Sequence, residues 1–309
     1  MTIQKRIETI KDNVKDEKVL MAISGGVDST VAAYLIHLAI KDNLTCLFVD
    51  TGLLRLGEKE EVMKRFKEDY LIKVDVLDAQ DLFINNLKGI TDPEEKRKII
   101  GKTFIDVFHN ALLKYGDHKY LAQGTILTDI KESDEHQTIK SHHNVGGLPK
   151  DLPFKLLEPL KDLTKSGVRT LGLELDLHHE FIYRKPFPGP GLGIRIMGEV
   201  TPDKIRIAQE TDYILRQELL NTNIEKGIFQ YFTVVTNTKT VGVDNGMRTY
   251  QYNVAIRAVD SVDANEATFT HIPFEVLRKI SKRMINEVKG VNRITYDITD
   301  KPKGTIEWE

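Results

Sequence analysis

The stretch Lys18–Ser29, KVLMAISGGVDS, carries the fold prediction. Its first half is a short apolar run, which predicts a buried β-strand, and an apolar helix is predicted from Asp28 to about Ile40. Gly25 and Gly26 lie between the two. A glycine-rich turn between a strand and a helix is where a phosphate-binding loop belongs. Glycine lets the backbone approach phosphate oxygens, and the first turn of a helix attracts anions.

The polar residues of this loop point to the same chemistry. Ser24 and Ser29 offer hydroxyl donors, and the carboxylate of Asp28 stands among groups that attract anions. A Mg²⁺ ion that bridges to pyrophosphate oxygens would explain that carboxylate. The loop is not a Walker A motif, since the chain has no Gly-Lys-Ser/Thr after four spacer residues. An ordinary glycine turn is the simpler interpretation of two glycines alone, but the whole string in its strand–loop–helix setting favours phosphate binding.

Further strands and helices alternate along the first half of the chain. Strands are predicted at 44–50, 72–77 and 120–122, and helices at 58–70 and 93–115, the last with Asp92 as N-cap and Pro93 in its first turn. This alternation predicts an α/β fold with a doubly wound parallel sheet. The polar region 123–153 is long enough to be a functional lid or a disordered excursion.

The composition of the sequence changes after Arg184, where the proline- and glycine-rich string KPFPGPG interrupts regular structure. We therefore predict one domain over 1–184 and a smaller α+β domain over 185–309. In the second domain, strands are predicted at 193–200 and 229–236, and a hairpin at Asp244-Asn245-Gly246. Helices are predicted at 202–220 and 273–288.

Composition excludes several classes of protein. A net charge of −2 argues against a dedicated nucleic-acid binder, and one cysteine, Cys46, supports neither a disulfide nor a zinc finger. The charged N-terminus has no signal-peptide core, and the longest apolar stretch, 31–40, is too short to span a bilayer. We expect a cytoplasmic protein with no membrane partner.

Several strings resemble those of known enzymes. The loop SGGVDS is similar to the pyrophosphate loop of N-type ATP pyrophosphatases, which have an adenine nucleotide α-hydrolase-like fold. The strings FVDTGLLR at 48–55, KRKIIG at 96–101, PFPGPGLG at 186–193 and TIEWE at 305–309 resemble the GMP synthetases. That resemblance implies a ligase that adenylates XMP with ATP, releasing pyrophosphate, and then lets ammonia displace AMP to give GMP.

The resemblance also assigns residues to roles. The phosphates of ATP and Mg²⁺ would be held by the loop residues Ser24, Gly25, Gly26, Val27, Asp28 and Ser29, with Asp28 as the metal ligand. Val49, Asp50, Gln123 and Gly124 would line the ATP crevice, and Asp129, Glu132 and Lys140 would belong to the catalytic lid. Arg97, Lys301 and Glu307 would contact XMP.

The same resemblance implies partners. Many GMP synthetases carry a glutamine amidotransferase domain with a nucleophilic cysteine, whereas Cys46 lies inside a predicted strand. We therefore expect a synthetase subunit that receives ammonia from a separate glutaminase subunit or uses free ammonia. The C-terminal domain of the family dimerises, so a homodimer is expected.

Two other classes of function remain open on the sequence. One is a related enzyme with the same loop, such as an NAD synthetase or a tRNA thiolase. A thiolase would generally have more cysteines and a basic surface, and an NAD synthetase would lack the TIEWE ending. The other is a non-enzymatic nucleotide-binding protein, against which the complete loop with Asp28 argues, since a simple binder has no need to cleave ATP.

Overall fold

The computed structural model describes residues 1–130, 154–262 and 264–309. Its chain forms two compact units. The first comprises Met1–Thr51, Gly57–Gln80 and Gly101–Arg184, and the second comprises Gly52–Leu56, Asp81–Ile100 and Lys185–Glu309. The second unit therefore includes two short segments from the first third of the chain.

Helices and strands alternate until about residue 175. The helices are α1 (Ile3–Val14), α2 (Val27–Ile40), α3 (Glu58–Lys64), α4 (Gln80–Asn86), α5 (Pro93–Leu112), α6 (Lys165–Glu174), α7 (His179–Ile182), α8 (Pro202–Asn221) and α9 (Phe274–Glu287). The strands are β1 (Val19–Ile23), β2 (Leu44–Asp50), β3 (Val74–Asp78), β4 (Tyr120–Ala122), β5 (Lys155–Leu157), β6 (Gln230–Asp244), β7 (Met247–Asp260), β8 (Thr268–Phe269) and β9 (Val291–Tyr296). Within the described ranges, no helix is both long and apolar enough to cross a bilayer.

The first unit is built on a five-stranded sheet in the order β3-β2-β1-β4-β5, and all its strand pairs are parallel. On one face, Leu20 and Leu47 pack against Phe108 and Leu112 of α5. The alternate residues of β2 are also buried, so the sheet is covered on both faces. The prediction of a doubly wound α/β fold is confirmed.

The helix α5 begins where the sequence predicted. The backbone N–H of Glu95 donates to the side chain of Asp92 (2.8 Å), and Pro93 occupies the first turn. This is an ordinary N-cap, because the carboxylate satisfies a backbone donor that has no partner within the helix.

The second unit contains an antiparallel sheet in the order β6-β7-β8, with β9 parallel to β7. The strands β6 and β7 meet at Asn245 and Gly246, which have φ values of 48° and 79°. Two residues with positive φ make a type I′ hairpin turn, as the Asn-Gly pair predicted. The helices α8 and α9 pack against this sheet and against each other, so the α+β prediction is confirmed.

The predicted strand at 193–200 is wrong. Residues Gly191–Ile194 form a 3₁₀ turn, and only an isolated bridge pairs Ile196 with Val235. Gly191 has a φ of 61° and lies close to Leu53, so the backbone folds back on the 52–56 segment instead of extending. Two glycines around Leu192 removed the steric preference for an extended chain.

Candidate active site

The loop of Ser24–Ser29 joins β1 to α2 at the carboxyl end of the sheet. Gly25 has a φ of 73°, and Gly26 is the N-cap of α2. Because Gly26 has no side chain, it does not cap the amides of the first turn, which can instead donate to an anion. The Ser29 hydroxyl donates to the carbonyl of Gly26 (3.0 Å) and lies 3.3 Å from the Ser24 hydroxyl. The loop thus combines helix-end amides with two hydroxyls.

Asp28 has one carboxylate oxygen in an ion pair, and none of the described residues bonds to the other. The Nζ atom of Lys165, the first residue of α6, lies 2.6 Å from Oδ2. Oδ1 is buried and accepts no hydrogen bond in the described part of the chain. A buried carboxylate oxygen beside an anion-binding loop fits Mg²⁺, which proteins usually hold through one or two carboxylates and the substrate phosphates. Lys165 adds a cation to the loop that the sequence prediction missed.

Arg184 is a second residue that was missed. Its guanidinium pairs with the carboxylate of Glu58, which is buried, and donates to the carbonyl of Gly25 (3.3 Å). Val62 on α3 also lies close to this glycine, because a Cβ atom at Gly25 would be 2.7 Å from Cγ2 of Val62. Helix α3 and Arg184 therefore hold the loop from the side.

The end of β4 lies against the same loop. A Cβ atom at Gly124 would lie 3.1 Å from the backbone of Asp28 and Ser29. Gln123 donates its backbone N–H to the carbonyl of Leu157 (3.0 Å) and so continues the pairing of β4 with β5. The neighbouring strands β1 and β4 form the point at which strand order reverses, where open α/β sheets bind ligands. The structure thus brings Gly124 close to the loop.

Asp50 lies at the end of β2 beside the buried Val49. Its carboxylate accepts hydrogen bonds from Lys59 (2.8 Å) and Gln80 (3.1 Å). The hydrogen bond between Lys59 and Asp50 and the negative charge of Asp50 raise the pKa of Lys59. The carboxylate is thus held in a fixed position at the carboxyl edge of the sheet.

The predicted lid residues are only partly described. Asp129 accepts a hydrogen bond from the backbone N–H of Ile126 (3.0 Å) and lies in the helical residues 127–130. In a capping box, the side chain of the third helical residue accepts a hydrogen bond from the backbone N–H of the N-cap residue, and Asp129 does so with Ile126. Glu132 and Lys140 lie outside the described residues.

In the second unit, Arg97 meets the end of the chain. Its guanidinium donates to the backbone oxygen of Glu309, and the neighbouring Lys96 pairs with the Glu309 side chain. Lys96 is fully buried, so desolvation lowers its pKa although Glu309 opposes the shift. The Arg97 side chain remains 29% exposed.

A cavity of about 470 Å³ lies between β9 and the C-terminal residues. Asp297, Thr299, Thr305, Glu307 and Trp308 are among its lining residues. The volume is in the range of small-molecule sites. Of the residues predicted to contact XMP, Glu307 lines this cavity.

Two polar side chains hold Glu307. Its carboxylate receives two hydrogen bonds from Arg195 (2.9 and 3.2 Å) and one from Gln230 (2.8 Å). Lys301 donates instead to the carbonyl of Ala264 (2.7 Å). Neither Arg195 nor Gln230 was predicted, because no local motif links them to a residue that far along the chain.

Within the described ranges, no group of three or more His, Cys, Asp or Glu residues is arranged to hold a metal. The metal chemistry that the residues do fit is the one at Asp28, with substrate phosphates as the other ligands.

Comparison with known proteins identifies relatives of both halves of the chain. Residues 217–308 match the family model of the GMP synthase C terminal domain, and residues 2–95 match that of NAD synthase. A GMP synthase (glutamine-hydrolysing) of Exiguobacterium sibiricum is 56% identical over 99% of this chain, and one of Bacillus cereus is 55% identical over 99%. The chain spans 60% of the length of each of these relatives.

One of the solved structures to which the chain is similar is an NH3-dependent NAD synthetase from Campylobacter jejuni. It is 18% identical, with a TM-score of 0.46 over 73% of this chain and 86% of that one.

Proposed function

We propose that the chain is the synthetase part of a GMP synthase and that it converts XMP to GMP with ATP and ammonia. ATP adenylates the O2 oxygen of XMP and pyrophosphate leaves. Ammonia then attacks C2 and AMP leaves, which makes the chain a carbon–nitrogen ligase. The observation that carries the proposal is the Ser24–Ser29 loop, where helix-end amides lie beside Oδ1 of Asp28, a buried oxygen with no hydrogen-bond partner in the part of the chain that the structure describes.

The loop residues have distinct tasks in this reaction. The amides that follow Gly26 and the hydroxyls of Ser24 and Ser29 bind phosphate oxygens of ATP. Asp28 holds Mg²⁺, which would neutralise charge on the departing pyrophosphate. Lys165, now paired with Asp28, contributes a positive charge to the same phosphates. Val49, Asp50, Gln123 and Gly124 form the walls of the ATP crevice at the carboxyl ends of the strands.

The XMP contacts are proposed for the second unit. Arg97 binds the XMP phosphate, for which a guanidinium fork is suited. Glu307 and Lys301 contact XMP from the C-terminal segment, and the cavity lined by Glu307 supports this assignment. We keep the domain proposal of an ATP pyrophosphatase domain over 1–184 and an XMP-binding domain over 185–309. Asp129, Glu132 and Lys140 act in the lid that shields the adenylated intermediate from water.

The experiment is product analysis of the purified chain with MgATP and ammonium chloride, with and without XMP. We expect AMP, pyrophosphate and GMP in equal amounts, and only when XMP is present. Asp28→Ala should abolish all three products, whereas the control Asp42→Ala, at an exposed position beyond the other end of α2, should not. ATP cleavage that does not depend on XMP would refute the substrate assignment and favour another acceptor, such as that of an NAD synthetase.

A separate glutaminase subunit is proposed as the source of ammonia. The single cysteine of these 309 residues, Cys46, is fully buried in β2, and burial raises the pKa of its thiol. A buried neutral thiol does not serve as the nucleophile of glutamine hydrolysis. Glutamine should therefore fail to replace ammonium until a glutaminase is added. Product formation with glutamine alone would contradict this. A reduced, buried cysteine also suits a cytoplasmic enzyme.

We further propose a homodimer formed through the second unit. Beyond Tyr252, where β9 stops pairing with β7, the β6–β7 hairpin continues as a two-stranded ribbon. The cross-strand neighbours Val241 and Tyr250 are 59% and 66% exposed there, and Val243 is 74% exposed. Isolated two-stranded ribbons are marginally stable, and a second copy would cover this face.

Light scattering tests the dimer. The wild-type chain should have twice the monomer mass at micromolar concentration, and Val243→Asp should halve it. Val262→Asp is the control, because Val262 is 99% exposed in the same unit but lies outside the ribbon. A monomeric wild type, or a dimeric Val243→Asp variant, would argue against the ribbon as the contact.

A further inference from the structure

Two arginines of the second unit are fully buried beneath the cavity. Arg195 follows the 3₁₀ turn at Gly191–Ile194, and Arg257 lies on β7. A buried guanidinium is unusual unless its donors are satisfied, because desolvation of the charge is unfavourable. The partners of these two side chains therefore indicate what they are for.

Arg257 forms hydrogen bonds with two residues that line the cavity. Its guanidinium donates to the carbonyls of Thr299 (2.5 Å) and Thr305 (3.1 Å), and it lies 3.4 Å from the carboxylate of Asp297. Asp297 also accepts the indole N–H of Trp308 (2.8 Å). These four partners of the network line the cavity. One side chain thus fixes the backbone of two lining residues, Thr299 and Thr305.

Arg195 fixes the remaining polar wall. Its Nε and Nη2 atoms donate to both oxygens of Glu307 in a fork-to-fork arrangement. The ring of Phe232 lies 4.0 Å from the guanidinium carbon of Arg195. Phe232 is also the cross-strand partner of Arg257. The two arginines therefore hold different lining residues of the cavity: Arg195 holds Glu307, and Arg257 holds Thr299 and Thr305.

We infer that Arg195 and Arg257 are positioning residues for XMP: without touching the substrate, they set the orientation of Glu307 and the separation of the cavity walls at Thr299 and Thr305. This inference rests on the proposed function, since it takes XMP as the occupant of the cavity. A planar guanidinium satisfies several oxygens at fixed angles, whereas an ammonium does not. Lysine at either position keeps the charge and removes the geometry.

The test uses the full chain and XMP alone, by calorimetry. Arg195→Lys and Arg257→Lys should each weaken XMP binding about 10-fold, with the KM for ATP within twofold of wild type. Arg206→Lys is the matched control, because Arg206 also bonds carboxylates and a backbone carbonyl but is 37% exposed. It should leave XMP binding unchanged.

A double-mutant cycle distinguishes the positioning of Glu307 by Arg195 from a purely structural role of Arg195. If Arg195 acts through Glu307, Arg195→Lys should weaken XMP binding little further in a Glu307→Ala background. Should Arg195→Lys fail to fold, Phe232→Leu removes the ring beneath Arg195 and should weaken XMP binding in the same direction. Additive effects, or XMP affinities within twofold of wild type, would overturn the inference. If the wild-type chain does not bind XMP at all, the proposed function fails, and this inference fails with it.

Discussion

Replacing Gly191 by alanine should destabilise the second unit strongly. Gly191 has a φ of 61°, which a residue with a Cβ atom adopts at a cost of about 1–2 kcal/mol. The added Cβ would lie 2.4 Å from the carbonyl oxygen of Leu53, 0.6 Å inside the 3.0 Å limit that real contacts respect. That oxygen also accepts the N–H of Leu192 (2.8 Å), so it cannot retreat without loss of a hydrogen bond.

Backbone overlap of this kind costs about 1–3 kcal/mol in well-packed proteins. Together with the cost of the positive φ, Gly191→Ala should lower the free energy of unfolding by about 2–5 kcal/mol. For a unit of this size, that corresponds to a fall in Tm of roughly 5–15 °C. The assay is differential scanning calorimetry of the full chain.

Two matched variants in the same unit separate the causes. Gly89 also has a positive φ, 76°, but a Cβ there would meet nothing within 4 Å. Gly89→Ala should therefore show the φ cost alone, about 1–2 kcal/mol. Gly227 has open space around it and no positive φ, so Gly227→Ala should be close to neutral. If Gly191→Ala is no less stable than Gly89→Ala, the close approach to Leu53 is not what requires glycine.

Three further results are expected. Gly124→Ala should raise the KM for ATP while leaving Tm within a few degrees, because its Cβ presses on the backbone of Ser29; an unchanged KM would contradict that contact. Cys46 should not react with Ellman's reagent at pH 8 until the chain unfolds, since burial raises the pKa of its thiol; rapid native labelling would count against burial. Glu218→Gln should lower Tm at pH 7, and the difference should shrink as the pH falls below 4.5, the ordinary pKa of the group. Burial raises the pKa of Glu218, but the hydrogen bonds from Lys279 and Arg283 lower it by more, so the pKa in the folded chain lies below the ordinary value. The stabilising charge is therefore present above the ordinary pKa and is lost in acid. A difference in Tm that does not depend on pH would exclude this charge effect.

The sheet of the first unit was predictable because its signals are local. The apolar runs at β1 and β2 and the Asp92-Pro93 cap each act within a few residues. The hairpin at Asn245-Gly246 is equally local, since a type I′ turn selects those two residue types. The predicted strand at 193–200 failed for the opposite reason. Its backbone follows a contact with Leu53, about 140 positions earlier, that no neighbouring residue signals.

The loop residues Ser24–Ser29 were proposed as a phosphate site from the sequence, and that proposal rests on glycine, hydroxyl and helix-end geometry. Lys165 was not identified from the sequence, because it lies 137 positions from Asp28 in the chain. Arg184, 126 positions from Glu58, was missed for the same reason. Each of these pairs exists because strand order and helix packing bring distant segments together.

The division between the two kinds of information has a physical basis. Backbone preferences, caps and turns depend on residues within one or two turns of helix. The amino-acid order alone therefore specifies the glycine turn at Gly25-Gly26, the alternation of strands and helices, and the positions of most of them. Ion pairs such as Arg195–Glu307 depend on where folding carries each segment. Their charged groups are spaced along the chain with no period, and only the packed fold brings them within hydrogen-bonding distance and away from water.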